Sequence, residues 1–175
     1  MSDKKNDTTK LNEFQEKLLE SKRDLSKKLP ILGNVVWLYQ NSEHQRFLFF
    51  RDIEHRLMPP LMAEQFKLYL DSKTGGLPMA FVSWAYLSDE AEEAYIETQR
   101  IAPKDWVSGK NLWLIDAVSP YAEGQQLFQQ AYGELFQGKD VNILFPDEHG
   151  AMQKMSLLDL AQKITNQDTS NETQH

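Results

Sequence analysis

The chain is 175 residues long, 41% hydrophobic and 11% aromatic, which suits one globular domain with a substantial core. No apolar run approaches the roughly 20 residues that cross a bilayer, and the first residues carry no signal-peptide core, so a soluble, cytoplasmic protein with no stable membrane insertion is expected. There is no cysteine, which excludes disulfides and thiolate chemistry, and the net charge of -7 speaks against nucleic-acid binding.

Charge is unevenly spread: residues 1–28 hold eight Lys/Arg and six Asp/Glu, against eleven and twenty in the remainder. Residues 1 to about 10 are polar and read as disordered. Leu11, Phe14, Leu18 and Leu25 then mark an amphipathic helix that should end before Pro30. Residues 1–29 thus form a polar extension, followed by a folded domain over 30–164 and a disordered tail over 165–175.

Within the domain, Gly33-Asn34 offers a helix start for Val35, Val36, Leu38 and Tyr39, and Asn41-Ser42-Glu43 ends it, leaving His44 just past the end. Phe47 to Met58 reads as a second helix that stops at Pro59-Pro60, with a further turn around Met62 and Ala63. Phe66–Asp71 and Met79–Tyr86 flank Thr74-Gly75-Gly76 and predict a hairpin. Ser88 is placed to cap a helix whose acidic first turn, Asp89, Glu90, Glu92 and Glu93, complements the helix dipole. After a loop over 101–111, the apolar run of residues 112–118 predicts a buried strand carrying Asp116. Gln125–Gln137 predicts a helix ended by Gly138, followed by strands over 141–145 and 152–157 and a short helix over 157–164. The expected class is α+β, an α/β sandwich with a mixed, mostly antiparallel central sheet flanked by helices.

Asp116 is the outstanding polar residue, because a carboxylate inside an apolar strand needs a partner. It serves either structure or catalysis. The nucleophile elbow, the phosphate loop, the dinucleotide fingerprint and the HExxH motif are all missing. His55, His149 and His175 read as solvated, whereas His44 lies between a cap-like cluster and the aromatic residues Phe47, Phe49 and Phe50. Histidine spacings of this kind make no metal motif, so no metal is expected.

Three segments, LGNVVWLYQNSEHQRF, PMAFVSWAYLSDEAEEAY and DWVSGKNLWLIDAVSPY, together carry S-W-A-x-L-S, D-W-x-S-G and W-x-I-D-x-x-x-P. With their spacing they resemble the RTX-toxin-activating lysine acyltransferases, the hemolysin C family, over about residues 31–145. The resemblance implies an acetyltransferase-like (GNAT) fold and a cytoplasmic enzyme that moves a fatty acyl group from acyl carrier protein to internal lysines of an RTX protoxin. It also implies a homodimer, no bound cofactor beyond the phosphopantetheine-linked donor, and catalytic roles for His44 and Asp116. Several members have a serine three residues before the histidine; that position is Asn41 here, with Ser42 adjacent.

A lysine amine is protonated near neutral pH, so a base must free it before it attacks a thioester. Histidine titrates in the right range, and a carboxylate on its other ring nitrogen would fix its tautomer. Whether His44 is that base or carries the acyl group itself stays open. Trp37, Asn41, Ser42, Trp84 and Trp113, with Phe81, are candidate acyl-chain or substrate contacts. Arg46 and Arg51, with Arg56, Lys104 and Lys110 behind them, are candidates for docking an acidic carrier protein. The competing readings are a coenzyme-A-dependent acetyltransferase, disfavoured by Glu123 in the turn after the central strand, and a non-catalytic toxin-binding or chaperone-like module.

Overall fold

The computed structural model describes residues 3–43, 46–47, 50–122 and 124–160, and leaves aside the side chains of residues 3–15, 17, 18, 21, 50 and 125. Five strands form one sheet in the order β1-β2-β3-β4-β5: β1 (Phe66–Asp71), β2 (Leu77–Leu87), β3 (Asn111–Val118), β4 (Val141–Pro146) and β5 (Met152–Ser156). All neighbours are antiparallel except β3 and β4. With helices on both faces, this is the mixed α+β architecture expected from the pattern.

The first helix departs from expectation. α1 runs unbroken over Asp3–Asn41 with Pro30 inside it, so residues 3–10 are helical rather than disordered, and neither the stop before Pro30 nor the restart at Gly33-Asn34 occurs. Proline removes one helical hydrogen bond and crowds the preceding turn. The segment beyond it is held by burial, since Val35, Leu38 and Tyr39 are core residues packed with Leu57, Leu61, Phe81 and Val118. Leu25, expected on the apolar face, is exposed; Leu11, Phe14 and Leu18 lie outside the described side chains.

The prolines at 59 and 60 likewise open a helix instead of closing one. A 3-10 turn at Phe50–Asp52 and a π-helical turn at Ile53–Leu57 lead into α2 (Met58–Ala63), where the proline pair occupies the first turn. First-turn amide groups have no intrahelical partner, so their loss costs little there. Glu64 ends α2 in the left-handed conformation.

The hairpin β1–β2 forms as expected, closed by Gly75 and Gly76 at positive φ. Ser88 caps α3 (Asp89–Thr98), its Oγ accepting from the Ala91 amide at 3.2 Å. α4 (Gly124–Ala131) continues into a π-helical turn over Tyr132–Phe136. The last expected helix is described only to Leu160.

Alternation along β2 assigns the two faces. Phe81, Ala85 and Leu87 join the clusters under α1, α2 and α3, whereas Val82, Trp84 and Tyr86 pack with Ala131 and Phe136 under α4. The D-W-x-S-G segment seals the exposed edge beside β2: the Tyr86 amide donates to the Trp106 carbonyl and Gly109 N–H to the Tyr86 carbonyl. A Cβ on Gly109 would collide with backbone atoms of Leu87 and Ser88, so the glycine of that motif is demanded by close approach of two backbone segments.

Candidate active site

Asp116 is buried, 3% exposed, and its direction is set by an irregularity in the sheet. On β3, Val118, Ala117 and Asp116 face Phe81, Val82 and Ser83, but Leu114 already faces Trp84, so Ile115 is an extra residue. This bulge makes Trp113 and Asp116 share a face despite their odd spacing. Without it Asp116 would point to the α4 side. With it, the carboxylate joins Ser83 beneath α1 and the π-helical turn.

Among the described residues, every hydrogen-bond partner of Asp116 is a donor. Arg56 Nη2 approaches Oδ1 at 2.6 Å, and Arg56 Nε lies 3.2 Å from Oδ1 and 3.4 Å from Oδ2. The hydroxyl of Ser83, itself fully buried, donates to Oδ2 at 3.4 Å. Asp116 holds the Arg56 guanidinium above its ordinary value, the largest influence on it. Arg56 also lies over the Tyr39 ring, its Cζ 6.0 Å from the centroid. Burial, and then the Asp116 charge, push the Tyr39 hydroxyl well above its usual value. That hydroxyl makes no hydrogen bond of accepted geometry among the described residues, but it lies close enough to the pair for both Asp116 and Arg56 to act on it. Sequence reasoning placed Arg56 among the docking cations and passed over Ser83 and Tyr39. The only local signal was Ser83 opening the S-W-A-x-L-S motif.

The sheet opens next to this cluster. β3 and β4 pair at Leu112 with Val141 and Trp113 with Asn142; beyond those positions β3 ladders to β2 and β4 to β5. Asp116 thus sits three residues past the last β3–β4 pair, on a stretch whose other edge is unpaired by β4.

The other expected site residues are dispersed. His44 lies outside the described residues, as does Glu123. Asn41 Nδ2 donates to the Trp37 carbonyl at 2.8 Å, in the last turn of α1. Ser42 is buried, its amide donating to Tyr39 and its carbonyl accepting from Arg46. Trp37 is 45% exposed on α1. Phe81 lies in the cluster with Tyr39 and Val118. Trp84 is on the opposite sheet face from Asp116, edge-on to Phe136. Trp113 shares the Asp116 face but is fully enclosed against Tyr95, its indole N–H donating to Glu92 Oε1 at 2.8 Å, an oxygen that Lys154 also reaches at 2.8 Å. Arg46 lies over the Phe47 ring and Arg51 beside Asp52, both exposed at the surface, as are Lys104 and Lys110. The structure therefore unites Asp116 with Arg56, Ser83 and Tyr39, and does not gather the tryptophans into one slot. Among the described residues no group of His, Asp and Glu is arranged to hold a metal ion, and no helix is long and apolar enough to cross a membrane.

Comparison with known proteins relates the chain to a family. The leukotoxin-activating lysine-acyltransferase LktC serotype A1 of Mannheimia haemolytica is 34% identical over 101 residues, 57% of this chain and 59% of that protein. The RTX-II toxin-activating lysine-acyltransferase ApxIIC of Actinobacillus pleuropneumoniae is 30% identical over 100 residues, 57% of this chain and 61% of the relative. The protein-lysine myristoyltransferase HlyC of Escherichia coli is 31% identical over 126 residues, 71% of this chain and 66% of the relative. The chain thus spans about six-tenths of the length of these curated relatives. The family model for RTX toxin acyltransferases matches residues 24–157, a range that holds α1 from Asp24, the whole sheet and the Asp116 cluster, and on that match the chain belongs to the RTX toxin acyltransferase family.

Proposed function

We propose that this chain transfers a fatty acyl group from acyl carrier protein to the ε-amines of internal lysines in an RTX protoxin, in the cytoplasm, with residues 30–164 as the catalytic unit. The observation that carries the reading is Asp116: a carboxylate buried in a strand, re-aimed by a bulge, and held where the sheet parts. The bulge turns the carboxylate toward Arg56 on the π-helical turn before α2. His44 takes the proton of the incoming lysine, or first accepts the acyl group. Asp116 holds the imidazole in the productive tautomer and supports its positive charge. In the direct route the ammonium proton leaves through His44 to solvent, the freed lysine nitrogen attacks the thioester carbonyl, and His44 takes the second N–H proton as the amide forms and gives it to the pantetheine thiolate released when the C–S bond breaks.

The parted edges of β3 and β4 suit the donor. An extended pantetheine arm carries amides that hydrogen-bond to an unpaired strand edge as an added strand does. Arg46 and Arg51 offer positive charge for an acidic carrier protein, acting mainly on the rate of encounter. No metal takes part in the scheme, and a homodimer is the assembly we assign, checked by light scattering of the purified protein.

The test is co-expression with an RTX protoxin followed by mass spectrometry of its lysines, and then transfer with purified acyl carrier protein. Internal lysines should carry a fatty acyl group with the wild type and none with His44→Ala. Transfer from acyl-coenzyme A in place of the carrier protein would overturn the donor assignment. Full toxin activation without any acyl-lysine would point to a binding module instead.

A further inference from the structure

We infer that Arg56 is a positioning residue for the acyl transfer, acting through Asp116; this rests on the catalytic role proposed for that aspartate. The Arg56 side chain is 47% exposed, but its guanidinium is turned onto the buried carboxylate. Its Nη2 and Nε both reach Oδ1, and Nε also leans toward Oδ2. The backbone beneath it is fixed by the π-helical turn, closed by the Met58 amide on the Ile53 carbonyl, and by Leu57 and Leu61, which are fully buried on the following residues. The Tyr39 ring bounds the guanidinium on another side.

An ionised carboxylate offers about four acceptor positions. Arg56 fills those of Oδ1, and the Ser83 hydroxyl takes one on Oδ2. Both donors on Oδ2, Arg56 Nε and the Ser83 hydroxyl, stand at 3.4 Å, and how they hold the group sets the direction from which Oδ2 can meet a further donor. An imidazole N–H that meets it is aimed by Arg56 without touching it. A lysine at position 56 would supply the charge but not the two-pronged geometry, because an ammonium is a point charge and a guanidinium a rigid fork.

The experiment compares wild type, Arg56→Lys and Arg56→Ala in steady-state transfer from acyl carrier protein to a protoxin fragment, alongside thermal melts. Arg56→Lys should melt close to the wild type while kcat falls about ten- to a hundredfold, the scale set by a misplaced catalytic group. KM for donor and acceptor should stay within about twofold, because neither substrate is bound by Arg56. Millimolar guanidinium should raise the Arg56→Ala rate several-fold and leave the wild type unchanged. An Arg56→Lys enzyme with wild-type kcat, an effect confined to KM, or an Arg56→Ala enzyme that guanidinium does not revive would overturn the positioning role while leaving the acyltransferase reading in place. A wild type that transfers nothing from acyl carrier protein would overturn both.

Discussion

Two buried ion pairs near α1 are built in opposite senses. At Arg56–Asp116 the carboxylate is the buried partner, its side chain 2% exposed, and the cation reaches solvent at 47%. At Lys28 the amine is buried at 7%, while its partners Glu64 at 3.3 Å and Asp24 at 3.8 Å stand 80% and 47% exposed. A lysine solves its own burial: its four-carbon stem lies along apolar surface, here near Ile31 and Phe66, and only the tip needs water or a carboxylate. Asp116 has one methylene and no such escape. It is fully committed to donors the protein supplies, so one pair is expendable and the other is not.

The largest expected effect tests that claim in catalysis. Asp116→Asn keeps the shape but loses the charge that supports an imidazolium, and kcat should drop by about 10³- to 10⁴-fold, as when the aspartate of a catalytic triad is neutralised. An active Asp116→Asn enzyme would reduce the pair to a structural one, equal in kind to that at Lys28.

Stability should show the same asymmetry. Arg56→Met strands a buried carboxylate; breaking a buried pair costs about 3–5 kcal/mol, and discounting for the half-exposed arginine leaves about 2–3 kcal/mol by denaturant titration. The double change Arg56→Met with Asp116→Asn should recover much of that loss, since no unpaired charge remains. Lys28→Met, in contrast, should shift stability by less than about 1 kcal/mol, because the stem is replaced and the lost partners are solvated. A Lys28→Met loss as large as that of Arg56→Met would erase the distinction drawn between the two pairs.

The smallest effect is a titration. Tyr39 is neutral far above its ordinary value of 10.0 because of burial first and Asp116 second, with Arg56 opposing. A group whose native value is raised contributes stability that is complete below the unfolded value, so the protein should lose stability as pH climbs above 10.0 through the native value. In Asp116→Asn one of the raising influences is gone, and tyrosinate absorbance should develop at lower pH than in the wild type. An unchanged titration would mean that Tyr39 does not sense the pair.

What could be read along the chain was whatever rests on neighbours in sequence. The β1–β2 hairpin follows from alternating residues around Gly75-Gly76, the α3 start from the Ser88 cap, and the burial of Asp116 from the apolar run that contains it. The three motifs sufficed to suggest the family, because each is a set of local constraints: Ser83 facing Asp116 across the ladder, Gly109 against Leu87, Trp113 in the core. Prolines were read too simply. Pro30 lies inside α1 because burial of Val35, Leu38 and Tyr39 outweighs one lost hydrogen bond, and Pro59-Pro60 begin α2 because first-turn amides need no partner. The face that Asp116 takes, the point where β3 and β4 part, and the choice of Arg56 as counter-charge were decided by the tertiary structure alone. Each depends on groups far apart in sequence, 60 residues in the case of Arg56 and Asp116, and on a one-residue bulge at Ile115 that leaves no mark in composition or periodicity but turns the side chain through the sheet.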